Sequence, residues 1–182
     1  MSGHSKWHSI KHQKAAADSK RGAIFTCVSR NITIAARDAG SDPQTNAKLR
    51  LAIEQARAVN MPKENIERAI KRGTGEGAEN QLKEEIYEAY GPNGVGIIIK
   101  AITDNTNRAV SDIRHALSKH GGTLGESGSV MWNFNRETEK EGIKYIPKTT
   151  IQLDENAKNK LQTLKNSLDE LEDVNDYFTN EA

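Results

Sequence analysis

The sequence predicts an α+β protein. A three-helix N-terminal domain over residues 1–75 is followed by a ferredoxin-like antiparallel α/β sandwich over residues 82–182. Three observations carry this. Before position 73, apolar residues recur at helical spacing. After position 82 the period shortens and β-branched runs appear. Between the two lies GTGEGAENQ (73–81), with three glycines and no large apolar residue, which reads as a linker. No G-K-[ST] follows these glycines, so they do not form a phosphate-cradling loop.

The first helix places Ile24, Phe25, Val28, Ile32, Ala35, Ala36 and Ala39 on one face, with Arg30 and Arg37 projecting from the opposite one. Gly40 stops it. Asp42 and Pro43 supply a cap and a first-turn proline for a second helix that carries Leu49, Ile53 and Ala56 inward. Pro62 starts a third, with Ile66, Ala69 and Ile70 inward and Arg68, Lys71 and Arg72 near its end. Cations there also suit the helix dipole.

In the second half, IYEAY (86–90) alternates as a strand and GPNG (91–94) is a turn. VGIIIKAIT (95–103) is the β-branched run of a buried strand. Residues 107–120 form a helix with Val110, Ile113 and Leu117 inward, ended by Gly121 and Gly122. SVMWNF (129–134) is expected as a third strand and NRETEKEG (135–142) as a short polar connection. IKYIPKTTIQL (143–153) is extended, with Pro147 restricting its middle to an edge or a bulge. Asp154 caps a helix carrying Ala157, Leu161, Leu164, Leu168 and Leu171, and DVNDYFTN (173–180) is the last strand. The order ββαβ then βαβ gives an antiparallel sheet with two helices on one face and an extra strand.

Charge divides the chain as sharply as periodicity does. Over its 182 residues the net charge is only +1. Residues 1–72 hold 14 Lys+Arg against 6 Asp+Glu, a net of +8, and residues 73–182 hold 12 against 19, a net of −7. A basic front points to a polyanionic partner, nucleic acid in particular. The acidic sheet domain would face away from that partner, or toward a basic protein. The single cysteine, Cys27, allows no intrachain disulfide and suits a reducing compartment. No apolar run approaches membrane length and no secretory segment opens the chain, so a cytoplasmic location is expected, with no membrane partner.

The opening MSGHSKWHSIKHQKAAADSKRGAIF concentrates His4, Lys6, Trp7, His8, Lys11, His12, Lys14, Lys20 and Arg21 against Asp18. Lysine and arginine neutralise phosphates and release counterions. Trp7 either stacks on an unpaired base or packs the arm onto the helices. His4, His8 and His12 are four apart, a spacing that on a helix could hold zinc. No nearby carboxylate or cysteine completes such a site, so they read as part of a phosphate-contacting arm, and no metal or cofactor is expected. No nucleophile elbow or metalloprotease motif is present. Cys27 sits on an apolar helix face, and Asp104, Asn105 and Asn107 suit a turn and a cap. The expectation is a non-enzyme. No helix carries the Asn/Arg/Gln cluster of a base-reading recognition helix.

Several long stretches resemble the YebC/PmpR family, which includes the mitochondrial translational activator of cytochrome oxidase subunit one. They are GHSKW…IKHQKAAADSKRGAIF, AARDAGSDPQTNAKLRLAIEQARAVNMPKENIERAIKRGTG, IYEAYGPNGVGIIIKAITDNTNRAVSDIRHALSKHGGTLGESGSVMWNF and IPKTTIQL…LKNSLDELEDVNDYFTN. The resemblance implies a helical N-terminal domain and an α/β part. Typical members insert a further α/β domain after the strand matching SVMWNF, and here that insertion is expected to be absent near 135–143. Members are described as DNA-binding transcriptional regulators or as ribosome-associated translation factors. The expectation is a ribosome- or RNA-associated translation factor, with a DNA-binding transcriptional regulator as the alternative. Rival readings are a ligand-sensing module, since ferredoxin-like sheets bind small molecules, and a zinc-dependent activity of the three histidines. The resemblance assigns nucleic-acid contact to His4, Ser5, Lys6, Trp7, Lys11, Lys14, Lys20 and Arg21. His12 joins them as part of the arm. Arg30, Arg37, Lys48, Arg50, Arg68, Lys71 and Arg72 are added on electrostatics alone.

Overall fold

The computed structural model describes residues 18–75, 82–139 and 142–182. Helices α1 (Asp18–Ala39), α2 (Ala47–Ala58) and α3 (Lys63–Gly73) come first. They enclose a core of Val28, Ile32, Ala35 and Ala36 from α1, Leu49, Ala52, Ile53 and Ala56 from α2, Met61 before α3, and Ile66 and Ala69 within it. Ala52 and Met61 join the positions the helical spacing gives; of those, Ile24, Phe25 and Ile70 are only partly buried against the core and Ala39 is exposed. Gly40 ends α1 at φ +89°, a conformation that glycine adopts without strain.

The start of α2 differs from expectation. Asp42 and Pro43 form a turn, and the N-cap is Asn46. Its side-chain oxygen accepts from the Leu49 amide at 2.9 Å, while its Nδ2 donates to the carbonyls of Ala35 (2.7 Å) and Gly40 (2.8 Å). One buried amide thus caps α2 and ties it to the end of α1. Asp42, with only a carboxylate, could not do both.

The second part is built on strands β1 (Lys83–Tyr90), β2 (Gly96–Thr103), β3 (Thr123–Leu124) and β6 (Val174–Thr179). Among the described residues they form one antiparallel sheet in the order β3-β1-β2-β6. Helices α4 (Thr106–Lys119) and α5 (Glu155–Glu170) cover one face. There Ala89, Ile97, Ile99, Ala101 and Tyr177 pack against Ile113, Leu117, Leu161, Leu164 and Leu168. Asn105 caps α4 through the Arg108 amide (3.0 Å) and Asp154 caps α5 through the Ala157 amide (2.7 Å), as the sequence predicts. The architecture is α+β, helical at the front and α/β behind.

Three expectations in the second part are corrected. SVMWNF is not a strand: Met131–Asn133 is a 3-10 turn, and β4 (Phe134–Glu139) begins only at Phe134. The reason is Glu88, whose carboxylate accepts the amides of Val130 and Met131 and so withholds them from any ladder. Second, the polar stretch after Phe134 is itself the rest of β4. It pairs antiparallel with β5 (Gly142–Pro147) as a separate hairpin. Third, beyond Pro147 the extended reading of 143–153 holds only as an isolated bridge between Ile151 and Glu181. The short edge strand β3 went unanticipated, since two residues carry no period. The hairpin closes the sheet's second face: Phe134 and Tyr145 pack with Val130 on Ile98 and Phe178. The Tyr145 and Phe178 rings meet edge to face, centroids 5.3 Å apart.

Candidate nucleic-acid interface

The helical core determines which cations face outward. On α3, Ile66 and Ala69 point inward, so Arg68, Lys71 and Arg72 fall on the opposite side. All three are exposed, and none has an ion-pair partner among the described residues. Arg21 is exposed in the early part of α1. Arg57, in the last turn of α2, is exposed as well. Sequence reasoning passed over it, because it flanks the stripe of Leu49, Ile53 and Ala56, one turn beyond Ile53.

The remaining cations named from the sequence are engaged. Arg50 donates to the Pro43 carbonyl at 3.1 Å, which leaves its exposed guanidinium with further donors. Lys48 lies 3.1 Å from Asp38 and 3.9 Å from Glu84. Arg37 pairs with Asp38 at 3.0 Å and donates to the Leu82 carbonyl. Burial alone would raise the Asp38 pKa, but hydrogen bonds from Lys48 and Arg37 outweigh it and hold the carboxyl below its ordinary value.

Arg30 is displaced furthest from its expected role. Its guanidinium lies 2.9 Å from Asp173, donates to the Glu172 carbonyl, and has a side chain only 14% exposed. The face of α1 opposite the helical core is therefore not an exterior. It docks on the sheet, with Ile34 buried and the buried Cys27 thiol donating to the Asn175 side chain at 2.9 Å. The signal was present: Cys27 and Ile34 are apolar residues outside the stripe that faces α2 and α3.

Asp173 is the centre of that joint. Besides Arg30 it receives both Nε and Nη2 of Arg108, each at 3.0 Å, a bidentate pairing. Arg108 also reaches Asp104 at 2.7 Å. The hydrogen bonds Arg108 donates to Asp173 and Asp104 push its pKa up, and the Arg108 hydrogen bond brings Asp104 below its ordinary value.

His4, Ser5, Lys6, Trp7, His8, Lys11, His12 and Lys14 lie outside the described residues, as does the side chain of Lys20. Among the described residues, no group of three or more His, Cys, Asp or Glu could hold a metal ion. No described helix is long and apolar enough to cross a membrane.

Fold and charge together define a two-part α+β protein whose helical front presents cations outward on α3 while spending others on its joint with the sheet. The profile of the TACO1/YebC protein N-terminal domain matches residues 5–76, and that of the TACO1/YebC second and third domain matches residues 82–139 and 135–181. The chain belongs to the TACO1/YebC family. It is 54% identical over 152 residues to a protein of Petrotoga mobilis, covering 84% of this chain and 59% of that one. It is 54% identical over 181 residues to a protein of Chlorobaculum tepidum (98% and 69%). With a protein of Pseudothermotoga lettingae it shares 39% over an alignment of 236 residues (99% and 93%). All three relatives carry the name probable transcriptional regulatory protein. The chain spans about three fifths of the length of the Petrotoga relative, at 59%. A crystal structure of a conserved hypothetical protein from Aquifex aeolicus superposes with a TM-score of 0.86 at 36% identity, covering 95% of each chain.

Proposed function

We propose that this chain is a non-enzymatic, nucleic-acid-binding regulator of gene expression that acts in the cytoplasm on ribosomal RNA or the ribosome. The observation that carries the reading is the outward face of α3. Arg68, Lys71 and Arg72 are exposed cations without a carboxylate partner among the described residues, within a front segment of net charge +8. Such a surface gains free energy by releasing counterions from phosphate. The opening residues His4, Ser5, Lys6, Trp7, Lys11, His12, Lys14, Lys20 and Arg21 extend it with further cations and an aromatic. Arg30, and to a lesser degree Arg37 and Lys48, are set apart as joint residues. RNA is preferred over duplex DNA because no helix carries a base-reading cluster, whereas an aromatic among cations suits unpaired bases.

We divide the chain into a helical nucleic-acid-binding part over 1–75 and an acidic α/β part over 82–182 suited to a basic protein partner. Near 135–143, where the β4–β5 hairpin stands, longer members are read as carrying additional chain. The alignment with the Pseudothermotoga relative, 236 residues long across 99% of this 182-residue chain, supports additional chain in longer members.

The relatives' names favour a second reading, a DNA-binding transcriptional regulator. Co-sedimentation with ribosomes on a density gradient at low and moderate salt, beside gel-shift titration of duplex DNA, separates the two. Salt-resistant ribosome association with weak, sequence-blind DNA binding is expected. Tight binding to particular promoter DNA with no ribosome peak overturns the translation reading.

A further inference from the structure

One tryptophan of the described chain is held out in solvent by a densely hydrogen-bonded scaffold. Trp132 is 68% exposed. Single exposed apolar residues are ordinary, but this one is pinned from both sides. On its N-terminal side, the Glu88 carboxylate accepts the amides of Gly128 (2.6 Å), Val130 (2.6 Å) and Met131 (2.7 Å). Glu88 is itself only 7% exposed. On the C-terminal side, Asn133 exchanges two hydrogen bonds with Thr149, and the Lys148 amide donates to the Asn133 carbonyl at 2.7 Å. A buried charge is thus spent on fixing a surface turn.

The polar edges of the aromatics are also spent. The Trp132 indole N–H donates to the Ser129 carbonyl at 2.9 Å, and the hydroxyl of the partly exposed Tyr90 donates to the same oxygen at 2.8 Å. At protein–protein contacts a tryptophan or tyrosine contributes its polar end to the partner as well as its ring. Here those ends are engaged internally, and what remains for a partner is ring surface. Beside it, the exposed Lys148 ammonium gives one hydrogen bond to the Trp132 carbonyl (2.7 Å) and keeps two donors. Ring faces next to a cation match a nucleobase next to its phosphate.

We propose that Trp132, with Tyr90 and Lys148, is a stacking platform for an unpaired base of single-stranded nucleic acid, a second contact distinct from the cations of α3. The proposal rests on the nucleic-acid reading above and departs from it in one respect: it gives the α/β part, acidic overall, a local nucleic-acid contact beside the Lys148 cation. Its position suits a bridging role. Arg37 holds the Leu82 carbonyl just before β1, while Tyr90 ends that strand. At ~3.3 Å per residue the strand places Tyr90 about 25 Å from the Arg37–Leu82 contact.

The test measures fluorescence anisotropy with a labelled, mixed-sequence single-stranded RNA of about 16 nucleotides and with a blunt RNA duplex. Trp132→Ala is expected to weaken single-strand binding roughly 5- to 150-fold, the range that removing one base stack produces. It should leave duplex binding nearly unchanged, and Trp132→Phe should restore most of the loss. Unchanged single-strand affinity, or equal loss on the duplex, overturns the platform while leaving the nucleic-acid reading in place. No binding of either probe by the parent chain overturns both. Sedimentation equilibrium covers the remaining occupant: a parent dimer that becomes a monomer on Trp132→Ala makes the platform a contact between copies and overturns the proposal.

Discussion

Arg30 of α1 and Asp173 at the start of β6 meet at 2.9 Å, and through this pair the helical part is fastened to the sheet. Asp173 is buried, and it also holds Arg108. A buried carboxylate shared by two guanidiniums has its desolvation cost offset only while both are in place. Asp173→Asn removes the charge and leaves two cations facing an amide. The expected loss is about 3 kcal/mol, the lower part of the range for breaking a buried pair, since Arg108 is partly solvated. Denaturant unfolding measures it. A midpoint equal to the parent's would show that the joint contributes nothing.

Glu88 predicts a pH dependence. Burial alone would raise its pKa, but the amides of Gly128, Met131 and Val130 outweigh that and hold it below the ordinary glutamate value. The folded state therefore keeps Glu88 ionised to lower pH than the unfolded chain does. Its contribution is fully present above the unfolded pKa and is lost as pH falls through the folded one. Glu88→Gln should cost about 3 kcal/mol at neutral pH, the scale of hydrogen bonds to a charged group. The variant should also lose less stability on acidification than the parent. Thermal melts across the carboxylate range test both parts, and parallel curves for the two proteins would contradict the assignment.

Gly73 sets helix propensity against packing. Alanine is the better helix former by about 1 kcal/mol. However, a Cβ on Gly73 would stand 2.4 Å from the Thr33 carbonyl oxygen and 2.8 Å from the Ala36 Cβ. Backbone on both sides leaves no flexible group to yield, and overpacking of this kind costs ~1–3 kcal/mol. Gly73→Ala is thus expected to destabilise the protein by about 1 kcal/mol net. A raised melting temperature would mean that α3 is free to shift on α1.

What was legible in the sequence follows from how local each determinant is. Gly40, Asn105 and Asp154 act within one helical turn of themselves, and their roles could be read directly. The β-branched run at Ile97, Ile98 and Ile99 announced a buried strand, though not that the β4–β5 hairpin covers its second face. Pairings between distant positions were not legible. Glu88 captures amides some forty residues away and so erases a strand that SVMWNF suggests by composition. Arg30 meets Asp173 across the whole fold, turning an apparent surface cation into a joint. Nothing in the spacing of Arg30 and Arg37 distinguishes them from Arg68 and Arg72. Only the residues packed around them do.

That difference yields the sharpest test of the candidate interface. Lys71→Glu with Arg72→Glu should weaken nucleic-acid binding and lower the slope of log affinity against log salt by roughly 0.7–0.9 for each phosphate no longer neutralised. The melting temperature should fall only by the small helix-dipole contribution of two last-turn cations, since neither side chain has an ion-pair partner among the described residues. Lys6→Glu with Lys11→Glu should behave in the same way if the opening segment lies on phosphate. Arg30→Met should do the reverse, lowering stability by breaking the ion pair with Asp173 while leaving the salt slope unchanged. Salt titration by anisotropy and denaturant unfolding, run on all three variants, read the two properties separately. If Arg30→Met shifts the slope as much as the α3 pair does, the division between joint cations and binding cations is wrong.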